Sequence, residues 1–437
     1  MIKLRNSGIY AIVLLTAIPV LWWFFSLPLA GRFYDIWTAL GTVGKGLGIA
    51  GFMLFAINLI LSGRPKFLEK FFGSLDRLYR IHHIVGGVAF LCLLFHPLFT
   101  AFQFFAFSPL YAWQFLIDLS NREVLYGKIA LFMMVVLLGL TFYGRMKHET
   151  WRWTHKFLGL AFFFGALHAF FIQGEIASHP WLVRYLMMSA TIGILMFLWR
   201  SVFRLYKLSE HRYIVSRIEK KGEMITEVYL KPLGKPMQFR GGQFVFLRFK
   251  LHGQLGEPHP YTIASSAQDA EIRFCIKNLG DYSALVDTVP VGTEARIEGP
   301  WGAFNYTRGG EKQIWIAGGI GITPFLGMLP DLVHQNDPTR RIHIYYCAKT
   351  AAELMYREEL EALAVKTAGT VTLHAYCSDK DGNFSLDAVE RVSGSLEGAS
   401  LLVCGPPGMM KMLKEQSVAK NIPSSSFIIE DFSLSKV

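Results

Sequence analysis

From about residue 9 to residue 198 the chain alternates long apolar runs with short basic intervals. Beyond about residue 205 it changes to short alternating stretches punctuated by Gly and Pro. A helix that crosses a bilayer needs about 20 mainly apolar residues. Six runs meet that need, at residues 9–29, 43–61, 81–101, 124–143, 157–172 and 181–198. The pattern predicts an α-helical transmembrane bundle, then an antiparallel β-barrel, then a parallel α/β domain. The expected boundaries are 1–207, 208–308 and 309–437, with the main break near Leu208.

The intervals between runs assign the sides. Lys3 and Arg5 precede the first run; Arg64, Lys66, Lys70, Arg77 and Arg80 follow the second. Arg145, Lys147, Arg152 and Lys156 follow the fourth, and Arg200, Arg204 and Lys207 follow the sixth. Basic residues gather on the cytoplasmic side, so both termini and the polar half are expected in the cytosol, the membrane being a bacterial inner membrane. The net charge of +11 is thereby spent on orientation, and nucleic acid is not expected as a partner. The first run is too long for the apolar core of a secretory signal and is read as a retained span. Hydrophobic residues make up 52% of the 437 and charged residues 18%, which agrees with a chain half in lipid. The five cysteines are scattered without a CxxC pair, which argues against a disulfide framework and a zinc site.

Polar side chains in a span are costly unless they serve a partner. The third run carries His82, His83 and His96, and the fifth is bordered by His155 and contains His168. Both runs cross in the same direction. At about 1.5 Å per residue, the intervals from His82 to His96 and from His155 to His168 each cover about 20 Å. Two levels follow, an inner one with His82 and His155 and an outer one with His96 and His168. Two axial imidazoles are what a six-coordinate haem iron needs for electron transfer. At about 100° per residue, His82 lies about 40° from His96 around the helix and His83 about 140°, which selects His82. The same sum sets His155 and His168 about 140° apart, a mismatch that a uniform helix does not explain. The bland alternative is a set of interhelical hydrogen-bonding histidines; two pairs matched in depth argue against it.

In the polar half, strands are predicted at 212–218, 223–231, 243–249, 261–264, 272–276 and 294–298, separated by Gly and Pro as in a small antiparallel barrel. Strands at 313–317, 342–347, 371–375 and 400–404 then alternate with helices, the first from Thr323 and the next from Ala351, which is the pattern of a parallel sheet. Four motifs carry chemistry. His259, Pro260, Tyr261 and Thr262 set an aromatic ring beside a hydroxyl, which suits a flavin: Tyr261 against the ring system, Thr262 at its reactive edge. Gly280, Asp281, Tyr282 and Ser283, shortly after Lys277, form a turn whose N–H groups suit a pyrophosphate. Gly318, Gly319, Gly321, Thr323 and Pro324 follow a strand and open a helix, where backbone and dipole favour a phosphate. Cys404, Gly405 and Pro406 end the last strand of that pattern, where ligands of parallel sheets bind, and Cys404 is expected near a nicotinamide ring. Any one of these is weak alone.

Taken in this order, the four motifs resemble those of the ferredoxin–NADP reductase superfamily. With the histidine spacings of 14 and 13 residues, the chain from about residue 9 onward is similar to the NADPH oxidase / ferric reductase family of transmembrane flavocytochromes. The resemblance implies FAD at His259 to Thr262 and Gly280 to Ser283, nicotinamide nucleotide at Gly318 to Pro324 and Cys404 to Pro406, and two b-type haems between the paired histidines. It also implies that the 13-residue spacing is compatible with haem binding despite the angular mismatch. Members often end in an aromatic residue that shields the flavin, and Phe432 resembles it.

The expected reaction runs from NAD(P)H through FAD and the two haems to an acceptor on the far side. Lys349, after the second strand of the α/β pattern, with Arg357 further along, offers cations and no acid for a ribose 2′-phosphate, which favours NADPH over NADH. Dioxygen and a ferric chelate both fit as acceptor, and a periplasmic partner protein is a third possibility. Lys45 would set a cation by the outer haem unless it merely reaches for the interface. The reading from a different class is a non-catalytic haem-binding sensor or subunit with a degenerate reductase half; the intact motifs argue against it.

Overall fold

The computed structural model describes residues 7–144, 148–203, 210–251, 253–335 and 338–430. The chain divides into two compact units, residues 1–206 and 207–437. The first unit is helical: α1 (Ser7–Phe25), α2 (Leu29–Arg32), α3 (Ile36–Ser62), α4 (Leu68–Phe72), α5 (Leu75–Phe102), α6 (Pro109–Ile117), α7 (Arg122–Tyr143), α8 (His148–Lys156), α9 (Leu158–Phe171) and α10 (Pro180–Phe197). Six helical stretches among the described residues are long and apolar enough to cross a bilayer. Five of the six run longer than the apolar runs, two of them from capped polar ends, whereas the first stops at Phe25, short of the expected residue 29. Asp35 accepts from the N–H of Thr38 at 2.7 Å to start α3, and Asn121 accepts from those of Glu123 and Val124 at 2.9 and 3.1 Å to start α7. The short α6 was not expected; Ser108 caps it and Pro109 opens it, a start signal that hydropathy alone passes over.

The fifth crossing is not one helix. Residue 157 separates α8 from α9, and the N–H of Phe157 bonds back three residues to Thr154 at 3.0 Å instead of four. This break lies between His155 and His168. The uniform rotation that set those two residues about 140° apart therefore does not apply, and the mismatch has a local cause.

α3 lies at the middle of this unit, packed against α5, α10 and α1. Ile49, Met53 and Ala56 on α3 are buried with Phe162 of α9 and Leu186 and Ala190 of α10. A charged cluster is built in beside them. Arg32, 2% exposed, lies 4.0 Å over the Trp23 ring, donates to the Phe24 carbonyl at 2.6 Å and pairs with Glu175 at 2.8 Å. Glu175 also takes Lys45 at 3.2 Å. Lys45 is thus tied to a carboxylate, a partner not expected from the sequence.

The second unit holds two sheets. β1 (His211–Lys221), β2 (Ile225–Pro232), β3 (Phe244–Leu251), β4 (Gln254–Leu255), β5 (His259–Thr262), β6 (Ile272–Lys277) and β7 (Glu294–Trp301) form an antiparallel sheet in the order β4-β3-β7-β1-β2-β6, with β5 on β3. The expected barrel is not closed by a continuous ladder. At the seam between β5 and β6, the N–H of Ala264, just past β5, donates to the Arg273 carbonyl at 2.8 Å. Past Ala264 the chain turns to the next domain, where Ser266 Oγ donates to Asp331 at 2.6 Å, and the ladder goes no further. Tyr213, Val228, Leu247, Phe274 and Ile297 fill the interior, each 1% exposed or less.

A helical turn, α11 (Asp281–Ala284), interrupts the antiparallel sheet before β7. The second sheet contains β8 (Lys312–Gly318), β9 (Arg341–Ala348), β10 (Val371–Cys377), β11 (Ser400–Cys404) and β12 (Phe427–Glu430), all parallel, in the order β10-β9-β8-β11-β12. Its helices are α12 (Thr323–Gln335), α13 (Arg357–Val365), α14 (Ser378–Asp381), α15 (Leu386–Ser393) and α16 (Pro407–Ala419). β12 is an addition to the expected strands. The helix expected from Ala351 begins at Arg357 instead, after a single 3₁₀ turn at Ala351–Glu353. The strand order reverses between β8 and β11, and such a reversal opens a ligand crevice at the strand ends.

Candidate redox site

In the helical unit, α5 and the α8–α9 segment bring four histidines into two pairs. The rings of His82 and His155 lie 6.3 Å apart between centroids, and those of His96 and His168 lie 6.4 Å apart. The planes are inclined by 65° and 55°, so neither pair is stacked. Two metal–imidazole bonds of about 2 Å, plus about 1 Å from each nitrogen to its ring centre, sum to about 6 Å. Both pairs therefore have the span of two axial ligands on one iron. His83, beside His82, is exposed.

Hydrogen bonds set which nitrogen faces the gap. His96 Nδ1 lies 2.7 Å from the Gly44 carbonyl, His168 Nδ1 2.7 Å from that of Glu123, and His82 Nδ1 3.3 Å from that of Asn58. A carbonyl accepts only, so Nδ1 carries the proton and Nε2 keeps its lone pair, as a metal-ligating imidazole requires. His155 differs: its Nδ1 has no hydrogen-bond partner among the described residues, and its ring stacks on Trp151 at 5.3 Å. Gly44 and Asn58 are 14 residues apart on α3, as His96 and His82 are on α5, so one antiparallel register serves both. No group of three or more His, Cys, Asp or Glu among the described residues is placed to hold a bare ion. Paired imidazoles suffice when a porphyrin supplies the other four ligands, so the residues present fit haem.

In the second unit, the sequence motifs converge in twos. His259 on β5 stacks on Tyr282 of α11 with centroids 3.7 Å apart and planes 23° apart, joining the first motif to the second. Tyr261 is half-buried; burial, and then the nearby Tyr282 phenol, push its hydroxyl above the usual tyrosine range, so it stays protonated. Thr262 is buried opposite Phe244 of β3. Ser283 Oγ accepts from the N–H groups of Leu279 and Gly280 at 2.9 and 3.0 Å. The hydroxyl thus ties up part of the turn expected to hold a pyrophosphate, leaving the first-turn N–H groups of α11. Lys277 ends β6, paired across the sheet with Ile225.

The third and fourth motifs meet at the strand reversal, where Cys404 is in register with Ala317. The two loops touch backbone to backbone: a Cβ on Gly321 would lie 2.3 Å from the Cys404 carbonyl, and one on Gly318 would lie 2.6 Å from Pro406 and 3.3 Å from Gly405. Gly319 has a φ of +54°, which favours glycine. Thr323 donates to the Ile320 carbonyl at 3.1 Å, and Pro324 is buried in the first turn of α12. Lys349 is exposed just past β9. Arg357 pairs with Glu361 at 2.7 Å one turn along α13, so its charge is shared. Phe432 lies outside the described residues.

Sequence reading missed the fastening between the two sheets. Asp331 of α12 accepts from the N–H of Gly241 at 2.9 Å and from Ser266 Oγ at 2.6 Å. Arg273 of β6 grips Glu359 of α13 at 2.6 and 3.1 Å. Gly241 and Gly327 touch so closely that a Cβ on Gly241 would lie 2.4 Å from the Gly327 carbonyl. Beside the clamp, burial pushes the Cys275 thiol up to about 12, so it is an inert thiol. Glu430 was also missed; it is 5% exposed and in register with Cys404. Isolated charged residues carry no periodic or motif signal that would have flagged any of them.

Three family models match the chain in succession: the ferric reductase like transmembrane component at residues 47–166, an FAD-binding domain at 213–304 and an oxidoreductase NAD-binding domain at 315–415. The chain is a ferric reductase / NADPH oxidase-like protein with a ferredoxin–NADP reductase-like C-terminal half. The reductase is 28% identical over 244 residues to the propane 2-monooxygenase reductase component of Rhodococcus jostii, covering 52% of the chain and 64% of that protein. It is 26% identical over 228 residues to the carnitine monooxygenase reductase subunit of Escherichia coli, covering 50% and 68%. The match to the Rhodococcus protein thus spans just under two thirds of that relative. Among solved structures, the flavohem-like FAD/NAD-binding domain of nitric oxide dioxygenase from Vibrio cholerae is 22% identical, with 51% of the chain and 98% of that domain covered and a TM-score of 0.45. The chain thus joins a ferric-reductase-like transmembrane component to an FAD-binding and an NAD-binding domain.

Proposed function

We propose that the reductase carries electrons from cytosolic NADPH across the inner membrane of a bacterium through two b-type haems, delivering them outside to dioxygen as superoxide. The observation that carries this reading is the pair of imidazole spans, 6.3 and 6.4 Å, at two levels of one helical unit. His82 and His155 would hold the inner haem, and His96 and His168 the outer. When bound, FAD takes two electrons as hydride and releases them singly, and haem iron carries one at a time. Tyr261 and Thr262 would hold the flavin ring, with Lys277 and the turn from Gly280 to Ser283 at its pyrophosphate. The loop from Gly318 to Pro324 would bind the nucleotide phosphates, Cys404 to Pro406 would seat the nicotinamide, and Phe432 would cover the flavin until it arrives. Lys349 would meet the 2′-phosphate; Arg357, held by Glu361, would contribute less.

With two imidazoles placed to hold each haem, an acceptor would have to take its electron without binding iron, which dioxygen permits. A ferric chelate is the second reading, favoured by the ferric-reductase match over residues 47–166. Inside-out membrane vesicles supplied with NADPH, with dye, superoxide dismutase or Fe(III) chelate enclosed in the lumen that corresponds to the outer side, separate them. Dye reduction abolished by superoxide dismutase supports the first reading. Reduction of an Fe(III) chelate with no such sensitivity supports the second, and activity in sealed right-side-out vesicles with external NADPH would reverse the orientation.

A further inference from the structure

We propose that Gly48 and Gly127 are positioning residues for the outer haem. Each uncovers the helical carbonyl four residues before it, and that carbonyl fixes the ring of His96 or His168. The inference rests on the two-haem reading above.

Within an α-helix the carbonyl of residue i already accepts from the N–H of residue i+4, but it keeps a second lone pair. That lone pair is normally hard to reach, because the side chain at i+4 leans back over the preceding turn. At two places in the helical unit the covering side chain is missing where a histidine approaches. The Gly44 carbonyl takes His96 Nδ1 at 2.7 Å, and residue i+4 is Gly48, where a Cβ would lie 2.7 Å from that Nδ1 and 2.8 Å from Cε1. The Glu123 carbonyl takes His168 Nδ1 at 2.7 Å, and residue i+4 is Gly127, where a Cβ would lie 3.0 Å from the ring Cγ and 3.1 Å from Nδ1. The two cases involve different helix pairs, α3 with α5 and α7 with α9. The same device recurs at both ligands of one level.

The inner level lacks it. His82 Nδ1 is 3.3 Å from the Asn58 carbonyl, and residue i+4 there is Ser62. Glycines in packed membrane helices commonly serve close approach alone. Gly51 on α3 is of that kind, since its Cβ would meet the Leu93 side chain at 2.7 Å and no imidazole. What separates Gly48 and Gly127 is that the atoms they make room for belong to a ring hydrogen-bonded one turn back. With Nδ1–H so held, Nε2 is turned toward the opposite histidine, and the bond strengthens the imidazole as a donor to iron.

The test compares haem-to-flavin ratios and low-temperature EPR of the full-length protein with those of three variants. Gly48→Ala and Gly127→Ala are each expected to lower the ratio from two haems to one, or to keep two with a shifted low-spin signal from one of them. Flavin reduction by NADPH continues in both. Gly51→Ala crowds the same helix pair equally and is expected to keep two haems and both signals. The inference is overturned if both glycine variants match the parent protein, if either loses both haems together, or if Gly51→Ala loses a haem as readily. A parent protein without haem would sink the two-haem reading itself, a different result from any of these.

Discussion

The two units build their sites in opposite ways. In the helical unit the proposed reactive groups are side chains, four imidazoles whose positions follow from spacing along continuous or once-broken helices. In the second unit the key surfaces are backbone: glycine loops at the ends of β8 and β11 that touch with no room for a Cβ. The difference follows from the solvent. In lipid every backbone group must be satisfied internally, so main chain is spent on the helix and side chains are left to bind. In water a loop can leave its N–H groups open for a phosphate. The exception is instructive: in the membrane unit backbone enters the site as second acceptors, the carbonyls of Gly44, Glu123 and Asn58.

The largest effect that would break this comparison comes from the imidazoles. His96→Ala is expected to remove the outer haem and reduce acceptor turnover to background, while flavin reduction by NADPH persists in stopped-flow absorbance. Full turnover in that variant would mean that the spacing is structural. Next is Glu175→Gln, which leaves Arg32 buried without its carboxylate at a cost of about 3 kcal/mol. Thermal unfolding in detergent should show the haem transition falling by several degrees while the flavin transition stays in place; an unmoved haem transition would show that the carbonyl contacts of Arg32 suffice.

Gly321→Ala probes the backbone side, since its Cβ would lie 2.3 Å from the Cys404 carbonyl. Overpacking of this kind costs about 1–3 kcal/mol. It should appear as a raised KM for NADPH with FAD content unchanged. Unaltered KM would mean that the two loops do not form one nucleotide seat.

Much of the fold was legible because each half obeys a strong rule. Apolar run length marked the six crossings, and Gly- and Pro-bounded alternation marked the strands. Helix ends, α6 and β12 were missed, because capping by Ser108 and the pairing of a four-residue strand at a sheet edge are set locally or by tertiary contact. The angular conflict between His155 and His168 was visible in the sequence, but its cause, the break at residue 157, was not, since an ordinary Phe occupies the break itself. The glycine motifs were legible as loops, yet their mutual contact depends on the strand order. The pairing of Lys45 was not legible, because Glu175, 130 residues away, carries no local sign of the partnership.

Smaller effects refine the nucleotide assignment. Lys349→Ala should weaken NADPH about tenfold, near 1.4 kcal/mol, and leave NADH unchanged. Arg357→Ala should weaken NADPH less than Lys349→Ala does, because its guanidinium is engaged by Glu361. Equal losses for both nucleotides in Lys349→Ala would remove the 2′-phosphate role. The smallest effect concerns His343 and His374, stacked with Nδ1 and Nε2 2.9 Å apart. Burial lowers both, with Lys312 adding to the effect on His343 and His343 to that on His374. The unfolded chain therefore binds more protons, and the stability contributed by the neutral pair is complete above the unfolded value of about 6.5 and is lost as pH falls below it. The melting temperature of the nucleotide-binding domain should drop between pH 7 and pH 5 with a steeper slope than in a His343→Gln, His374→Gln double variant.

The most direct measurement is the haem and flavin content of the purified full-length protein from haem-replete cells, by pyridine haemochrome and released FAD. Two b-type haems per FAD, both low-spin and both reduced by NADPH under anaerobic conditions, are the predicted result. A protein with a full complement of flavin and fewer than two haems would contradict the account.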